Sequence, residues 1–93
     1  MTFVMFGTYS SEAIKEIDSA RTARARKIVG NYGGKVKAIY ALLGKPDLLF
    51  VLELPGIEEA VRVSVALTKE TGIAFQTSPA LSVQEFDKIV VSR

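Results

Sequence analysis

The pattern of apolar and polar positions predicts seven elements, in the order strand, helix, strand, strand, helix, strand, helix. Residues 2–9 combine aromatic and β-branched side chains with loose alternation, which is typical of a strand. A helix is predicted from Ser10, a suitable N-cap, to about Asn31, before Gly33-Gly34. Glu12 in its first turn suits the positive end of the helix. Its apolar stripe comprises Ile14, Ile17, Ala20, Ile28 and Val29.

Two further strands are predicted on either side of a turn at Gly44–Asp47, which makes them an antiparallel hairpin. The first covers residues 35–43 and the second residues 48–54. Glu58-Glu59 open a second helix, which stops at Thr71-Gly72. The stripe that we assign to the core of this helix is Ile57, Ala60, Val61, Val65 and either Leu67 or Thr68.

The C-terminal part of the chain predicts one more strand and a short helix. The strand covers residues 73–78 and carries Phe75, and Pro79 places it at an edge or a bulge of the sheet. Residues 82–85, with the sequence SVQE, form a capping box. The helix that follows carries Phe86, Ile89 and Val90 on one side.

This order of elements predicts an α+β, ferredoxin-like βαββαβ fold with a C-terminal helix, in which both main helices cover one face of the sheet. The opposite face is open, yet residues 48–52, LLFVL, do not alternate. An apolar sheet face of this size exceeds what monomers usually expose. Either the last helix folds over it, or a second copy packs against it, which we favour. Depending on register, this face carries about half of Ile39, Ala41, Leu43, Leu49 and Val51, or their neighbours.

Composition narrows the function without choosing it. The 93 residues predict a single domain, 1–93, and 12 basic against 10 acidic residues favour neither a nucleic acid nor a membrane as partner. The chain lacks cysteine and histidine. This excludes Ser-His-Asp and Cys-His catalysis, haem with a protein imidazole ligand and ordinary zinc sites. We therefore expect no cofactor and no metal. The absence of cysteine and of a basic segment before the short apolar stretch of residues 2–6 favours a cytoplasmic protein.

Glu53 is the candidate catalytic residue. It follows Leu49 and Val51 on one face of its strand, and a partly buried carboxylate there would have a raised pKa and serve as a general acid or base. The alternative, which we favour, is an exposed strand end where Glu53 is solvated or pairs with Lys35 or Lys37 across the hairpin.

Arg21, Tyr40 and Asp47 are the candidate ligand-binding residues. Arg21 lies four residues after Ile17, so it can point inward and hold a carboxylate of Glu53, of Asp47 or of a ligand. Asp47 either accepts hydrogen bonds from turn amides or lies at a pocket rim. Tyr40 either exchanges a proton or packs as an amphipathic ring.

Short segments along the chain match a known family pattern: Phe6–Tyr9, Arg21, residues 33–36 (GGKV), Leu43-Gly44, Asp47-Leu48, residues 53–55 (ELP), Thr71-Gly72 and residues 77–80 (TSPA). On these segments, nearly the whole chain resembles the GYD-domain family of the dimeric α/β-barrel superfamily. The resemblance departs from the family pattern at Pro46, where the central Gly-Tyr-Asp element has tyrosine.

The resemblance implies the ferredoxin-like fold and a homodimer that closes a barrel. A higher oligomer is left open as an alternative. It implies no activity, because the superfamily includes cofactor-free monooxygenases, isomerases, haem-handling enzymes and ligand-sensing domains. Our leading hypothesis is a homodimer, formed through the open sheet face, that binds a small apolar or aromatic metabolite. The alternatives are a cofactor-free isomerase or monooxygenase and a purely structural or interaction module. Whether the protein is an enzyme stays open.

Overall fold

The computed structural model describes residues 1–11, 13 and 19–91. The order of strands and helices in it is the one that the sequence predicts. The elements are β1 (Thr2–Thr8), α1 (Arg21–Asn31), β2 (Lys35–Ala41), β3 (Leu48–Glu53), α2 (Ile57–Thr71), β4 (Ala74–Ala80) and α3 (Val83–Val91).

The four strands form one antiparallel sheet in the order β2-β3-β1-β4. β1 lies between β3 and β4, with Phe3 opposite Leu52 and Pro79. The predicted hairpin of β2 and β3 is present, and β4 is an edge strand, as Pro79 indicated. This topology is the ferredoxin-like α+β fold.

One face of the sheet packs against α1 and α2 and forms the core. Because side chains alternate along a strand, every second residue of β1 and β3 points to the helices. Phe3, Met5 and Leu52 are almost fully buried there. The two helices contribute Val29, Val63 and Leu67, which are also inaccessible to solvent.

A β-bulge at Lys37 changes the phase of β2 relative to β3. Val36 pairs with Leu52, whereas the next pair is Ala38 with Val51. Because the extra residue shifts the alternation, Ile39 lies on the helix-covered face and Tyr40 lies on the open face. The open face therefore carries Ala38 and Tyr40 from β2 in place of Ile39 and Ala41, together with the expected Leu49 and Val51.

The predicted first helix agrees with the structure at both ends but is not continuous. Ser10 is its N-cap, since the Ser10 Oγ accepts a hydrogen bond of 3.0 Å from the amide of Ala13. A turn at Ser19 and Ala20 precedes α1, which ends at Asn31 before Gly33 in the left-handed conformation. The predictions for Glu12, Ile14 and Ile17 lie outside the described residues.

α2 carries two apolar stripes, one buried and one exposed. The stripe that we predicted for the core contains residues of both. The buried residues are Ala60, Val63 and Leu67. Ile57, Val61 and Val65, which we expected in the core, are exposed, and we call these three residues the outer stripe. Both stripes have helical spacing, so the hydrophobic period alone does not say which of them meets the sheet.

α3 extends away from the rest of the protein. Its start is the predicted one, since the Ser82 Oγ accepts a hydrogen bond of 3.1 Å from the amide of Glu85. All of its residues are exposed, so it does not fold over the open sheet face. The radius of gyration of 14.3 Å exceeds the ~12 Å of a compact chain of this length, and the long axis measures 52 Å. Within the described ranges, no helix is long and apolar enough to cross a membrane.

Gly34 is a position where no larger residue fits. A Cβ at Gly34 would lie 2.3 Å from the Leu54 Cδ2 and 2.8 Å from the backbone oxygen of Glu53. We expect Gly34→Ala to lower the free energy of unfolding by about 2–3 kcal/mol through overpacking. Urea denaturation followed by circular dichroism measures this change.

Gly30→Ala is the matched control, because a Cβ at Gly30 meets no atom within 4 Å. Its helical position predicts a gain of about 0.4–1 kcal/mol. Equal effects of the two substitutions would contradict the close approach of Gly34 to Leu54.

Candidate functional site

The structure distributes the predicted site residues over three places. Arg21 and Asp47 both contact Tyr9, at the end of the sheet where β1 finishes. Glu53 lies at the opposite end of β3, about 17 Å along the strand from its first residue. Tyr40 lies on the open face of β2, and its side chain is 57% exposed.

Arg21 and Tyr9 form the polar centre of the first place. The Arg21 guanidinium donates a hydrogen bond to the phenol oxygen of Tyr9, and its Cζ lies 5.5 Å from the centroid of the same ring. Tyr9 follows β1 directly and Arg21 opens α1, so the fold brings together two residues that are 12 positions apart. Arg21 thus points toward the sheet, which is one of the orientations that the sequence left open.

Asp47 fixes the backbone beside this pair. One of its carboxylate oxygens accepts a hydrogen bond of 2.8 Å from the amide of Tyr9, and its own amide donates to the carbonyl of Gly7 at 2.8 Å. Asp47 also accepts a hydrogen bond from the amide of Leu42 through its carbonyl, at 2.7 Å. The carboxylate therefore connects the β2–β3 turn to the end of β1, and so positions Tyr9.

Two small cavities meet at Arg21, between the helices and the sheet. The inner one has a volume of about 50 Å³ and an apolar lining that includes Phe50, Leu67 and Phe75. The outer one has a volume of about 60 Å³, and its polar lining includes Tyr9 and the ion pair of Arg24 with Glu70, whose charged atoms are 3.8 Å apart. Arg21, Thr71 and Ile73 line both, and we call the two cavities together the Arg21 cleft.

The aromatic floor of the inner cavity depends on an edge-to-face ring pair. The centroids of Phe50 and Phe75 are 5.4 Å apart and their planes make an angle of 67°. Gly7 allows this arrangement, because a Cβ there would lie 2.8 Å from the Phe75 ring. The cleft therefore combines an apolar interior with a polar mouth, where the guanidiniums of Arg21 and Arg24 and the carboxylate of Glu70 lie.

Glu53 has different neighbours from those that the hairpin suggested. Lys35 is its partner in the sheet register, but the carboxylate accepts a hydrogen bond from the hydroxyl of Thr2 on β1 and lies 3.7 Å from the amino group of Met1. The Thr2 hydrogen bond lowers the pKa of Glu53, and the charges of the Met1 amino group and Lys37 act in the same direction. A carboxylate with a lowered pKa is a weaker base than an ordinary one.

The open sheet face forms a second surface of interest. Phe6 and Tyr40 are exposed on it, beside the half-buried Val4, Leu49 and Val51. These residues pair across three neighbouring strands, Val4 with Val51 and Phe6 with Leu49. They form one continuous apolar patch in the middle of the sheet.

A third feature is a groove of about 310 Å³ between α2 and the edge strand β4, which we call the edge groove. The outer stripe of α2 forms one wall, and Phe75 and Pro79 of β4 form the other. In its floor, the Ser64 Oγ donates to the carbonyl of Ala60 at 2.8 Å and lies 2.6 Å from the Thr77 Oγ1. These hydroxyls therefore satisfy each other within the protein.

Sequence reasoning did not assign Tyr9 as the partner of Arg21, nor did it find the edge groove. One signal for the contact between Tyr9 and Arg21 was available. Tyr9 lies at the end of a predicted strand, and the helix that carries Arg21 follows it in the sequence. The groove has a weaker signal, namely the second apolar stripe on α2, which was merged with the core stripe.

The lowered pKa of Glu53 makes the free energy of unfolding depend on pH in the acidic range. Since the folded pKa lies below the usual value of 4.5, ionised Glu53 stabilises the fold above that value, and this contribution is lost as the pH falls through the folded pKa. We expect Thr2→Val to raise the pKa of Glu53, as read from a carboxyl NMR titration. An unchanged pKa in that variant would contradict the role of the Thr2 hydroxyl.

The family model for the GYD domain matches residues 3–90, which span all seven described elements except the first residue of β1 and the last of α3. Among curated proteins, no relative matches this chain. Since the matched range covers nearly the whole sequence, and the observed topology is the one that the resemblance implied, the chain belongs to the GYD-domain family.

Proposed function

We propose that this protein is a homodimer that binds a small apolar or aromatic carboxylic acid in the Arg21 cleft. The single observation that carries the proposal is the position of the Arg21 guanidinium, between an apolar cavity and a polar one. A carboxylate in the outer cavity would accept hydrogen bonds from Arg21, and the apolar part of the ligand would contact Phe50 and Phe75.

The neutral partner of Arg21 supports an anionic ligand. The Arg21 guanidinium donates a hydrogen bond to the phenol of Tyr9. The ion pairs among the described residues join other side chains. A guanidinium in a partly buried position gains more from a carboxylate than from a neutral oxygen. The Glu70 carboxylate in the outer cavity pairs with Arg24 at 3.8 Å. A carboxylate ligand would therefore supply Arg21 with the negative charge that Tyr9 does not.

The volume of the cleft limits the size of the ligand. Small-molecule pockets usually measure about 300–1,000 Å³, whereas the two cavities have volumes of about 50 and 60 Å³. They have room for a carboxylate and a short apolar segment. A larger aromatic acid would bind with part of its ring outside the cleft or with Tyr9 displaced.

Catalysis by Glu53 has less support than binding. Glu53 does not line either cavity of the Arg21 cleft, and its pKa is lowered rather than raised. A general base that abstracts a proton from a ligand must lie within hydrogen-bond reach of it. The geometry therefore favours a binding protein over an isomerase or a monooxygenase that uses this residue.

The dimer part of the proposal rests on the open sheet face. The apolar patch around Val4, Leu49 and Val51 has no cover among the described residues, since α3 points away from it. Packing this face against the same face of a second copy would bury the patch on both copies and close a barrel.

Ligand binding is tested by a thermal-shift screen of aromatic acids and lactones, followed by calorimetry on the best acid. We expect carboxylates to raise the melting temperature and their neutral amides to leave it unchanged. Because a hydrogen bond to a charged group contributes about 1.5–3 kcal/mol, Arg21→Gln should weaken binding of the acid about 10- to 100-fold.

Two variants separate binding from folding in this test. Arg26→Gln removes an exposed charge from the same helix and should leave binding unchanged. Tyr9→Phe removes the phenol that occupies Arg21 but keeps the ring, so it should bind the acid at least as tightly as the original protein. Equal binding of acids and amides, or undiminished binding by Arg21→Gln, would contradict the proposed site.

The dimer is tested by placing a charge in the centre of the patch. We expect sedimentation velocity at micromolar concentration to show a dimer, and Val51→Lys to shift it to the 10.1 kDa monomer. Ala23→Lys, an exposed position on α1, is the control and should remain dimeric. A monomeric original protein, or a dimeric Val51→Lys variant with unchanged affinity, would show that this face is not the interface.

A further inference from the structure

α3 is an amphipathic helix with no cover on its apolar side. Val83, Phe86, Ile89 and Val90 fall within about 120° of the helix circumference, and each of them is at least half exposed. We call these four residues the arm stripe. Glu85 and Asp87 flank the stripe on its two sides. A short helix of this kind gains stability mainly by packing its apolar side against another surface.

The edge groove has the shape and chemistry to accept such a helix. Its outer stripe repeats every four residues, from Ile57 to Val65, and so extends about 12 Å along α2. The arm stripe runs from Val83 to Val90, about 10 Å along α3. Two helices can therefore align these stripes along their full lengths, ridge against groove.

The polar groups around the two stripes are also compatible. In the floor of the groove, Ser64 and Thr77 contact each other, so an apolar helix above them leaves neither hydroxyl unpaired. Arg62 and Lys69 lie beside Val61 and Val65 on the outer side of α2, where they form a further surface depression. Arg62 already forms an ion pair of 3.4 Å with Glu58, so Lys69 is the basic residue that complements an acidic residue beside the arm stripe.

We propose that α3 of one copy docks in the edge groove of a second copy, so that two copies exchange their C-terminal helices. The groove opens at the side of the sheet because β4 is an edge strand, so a helix that reaches around this edge can enter it. The exchange is a contact separate from that between the open sheet faces, and either contact can exist without the other.

The area that a stable dimer buries favours a second copy as the source of the helix. Four strands of six or seven residues present about 400 Å² of flat sheet, roughly half of the 800 Å² that each partner buries in a standard interface. The exchanged helix and its groove would enlarge the interface on each copy. Return of α3 to its own groove would need a reversal at Leu81, since Ser82 already caps the helix.

Disulfide trapping tests the exchange. Because the chain has no cysteine, the introduced thiols are the only ones that can form a disulfide. A chain carrying both Val61→Cys and Phe86→Cys places one thiol in each stripe. After mild oxidation, we expect a reducible covalent dimer on a denaturing gel, or a ladder if the exchange is open-ended. Arg26→Cys with Phe86→Cys is the control and should stay monomeric, because Arg26 lies on the exposed side of α1.

Three results would overturn the proposal. An internal disulfide within a monomeric chain would show that α3 folds back on its own groove. No cross-link at all would show that the two stripes do not meet. Equal dimer formation by the control pair would show that random collisions form the cross-link. If cross-linking fails but the protein still sediments as a dimer that Val51→Lys breaks, the sheet contact stands and the helix exchange does not.

Discussion

The packing of α1 and α2 against one face of the sheet is the contact on which the rest of the structure depends. Val29 of α1 and Val63 and Leu67 of α2 bury Phe3, Met5 and Leu52, and together they form the centre of the core. This contact uses both long helices on one side. The other side of the sheet and the outer stripe of α2 are left apolar and accessible, and both proposed interfaces follow from that division.

The same packing places the candidate ligand site. Because α1 begins beside the end of β1, Arg21 meets Tyr9 above the small cavity that Phe50 and Phe75 line. Asp47 contributes from the β2–β3 turn by fixing the backbone of Tyr9. The turn between β2 and β3 therefore has a structural connection to the cleft, through Asp47.

Much of the fold could be predicted from the sequence, because its signals are local. Ser10, Ser82 and Gly72 mark helix ends by side-chain capping or by a left-handed backbone, and each does so in the structure. The choice between faces was less predictable. The bulge at Lys37 exchanged the sheet faces on which Ile39 and Tyr40 lie. On α2, both apolar stripes have helical spacing, so the sequence pattern did not show that Val61 is exposed.

The site was harder to predict, because its contacts join distant parts of the chain. An inward Arg21 was one of the orientations that the sequence left open, and its partner Tyr9 depends on where β1 ends relative to α1. Glu53 was expected at an exposed strand end, solvated or paired with Lys35 or Lys37. It is partly exposed, but its contacts are Thr2 and the Met1 amino group, because β1 lies on its other side. The contacts of Glu53 depend on the strand order, which pairs β3 with β1 as well as with β2. No local sequence pattern predicts that order.

The central claim is that a second copy covers the apolar patch of the open sheet face. An isotope-filtered NOE experiment on a mixture of labelled and unlabelled chains tests it directly, because only contacts between copies give signals. We expect intermolecular NOEs from the methyl groups of Val4, Leu49 and Val51 to protons of the other copy. The absence of these NOEs from all three residues, in a sample that contains only this protein, would contradict the claim that a second copy covers the patch.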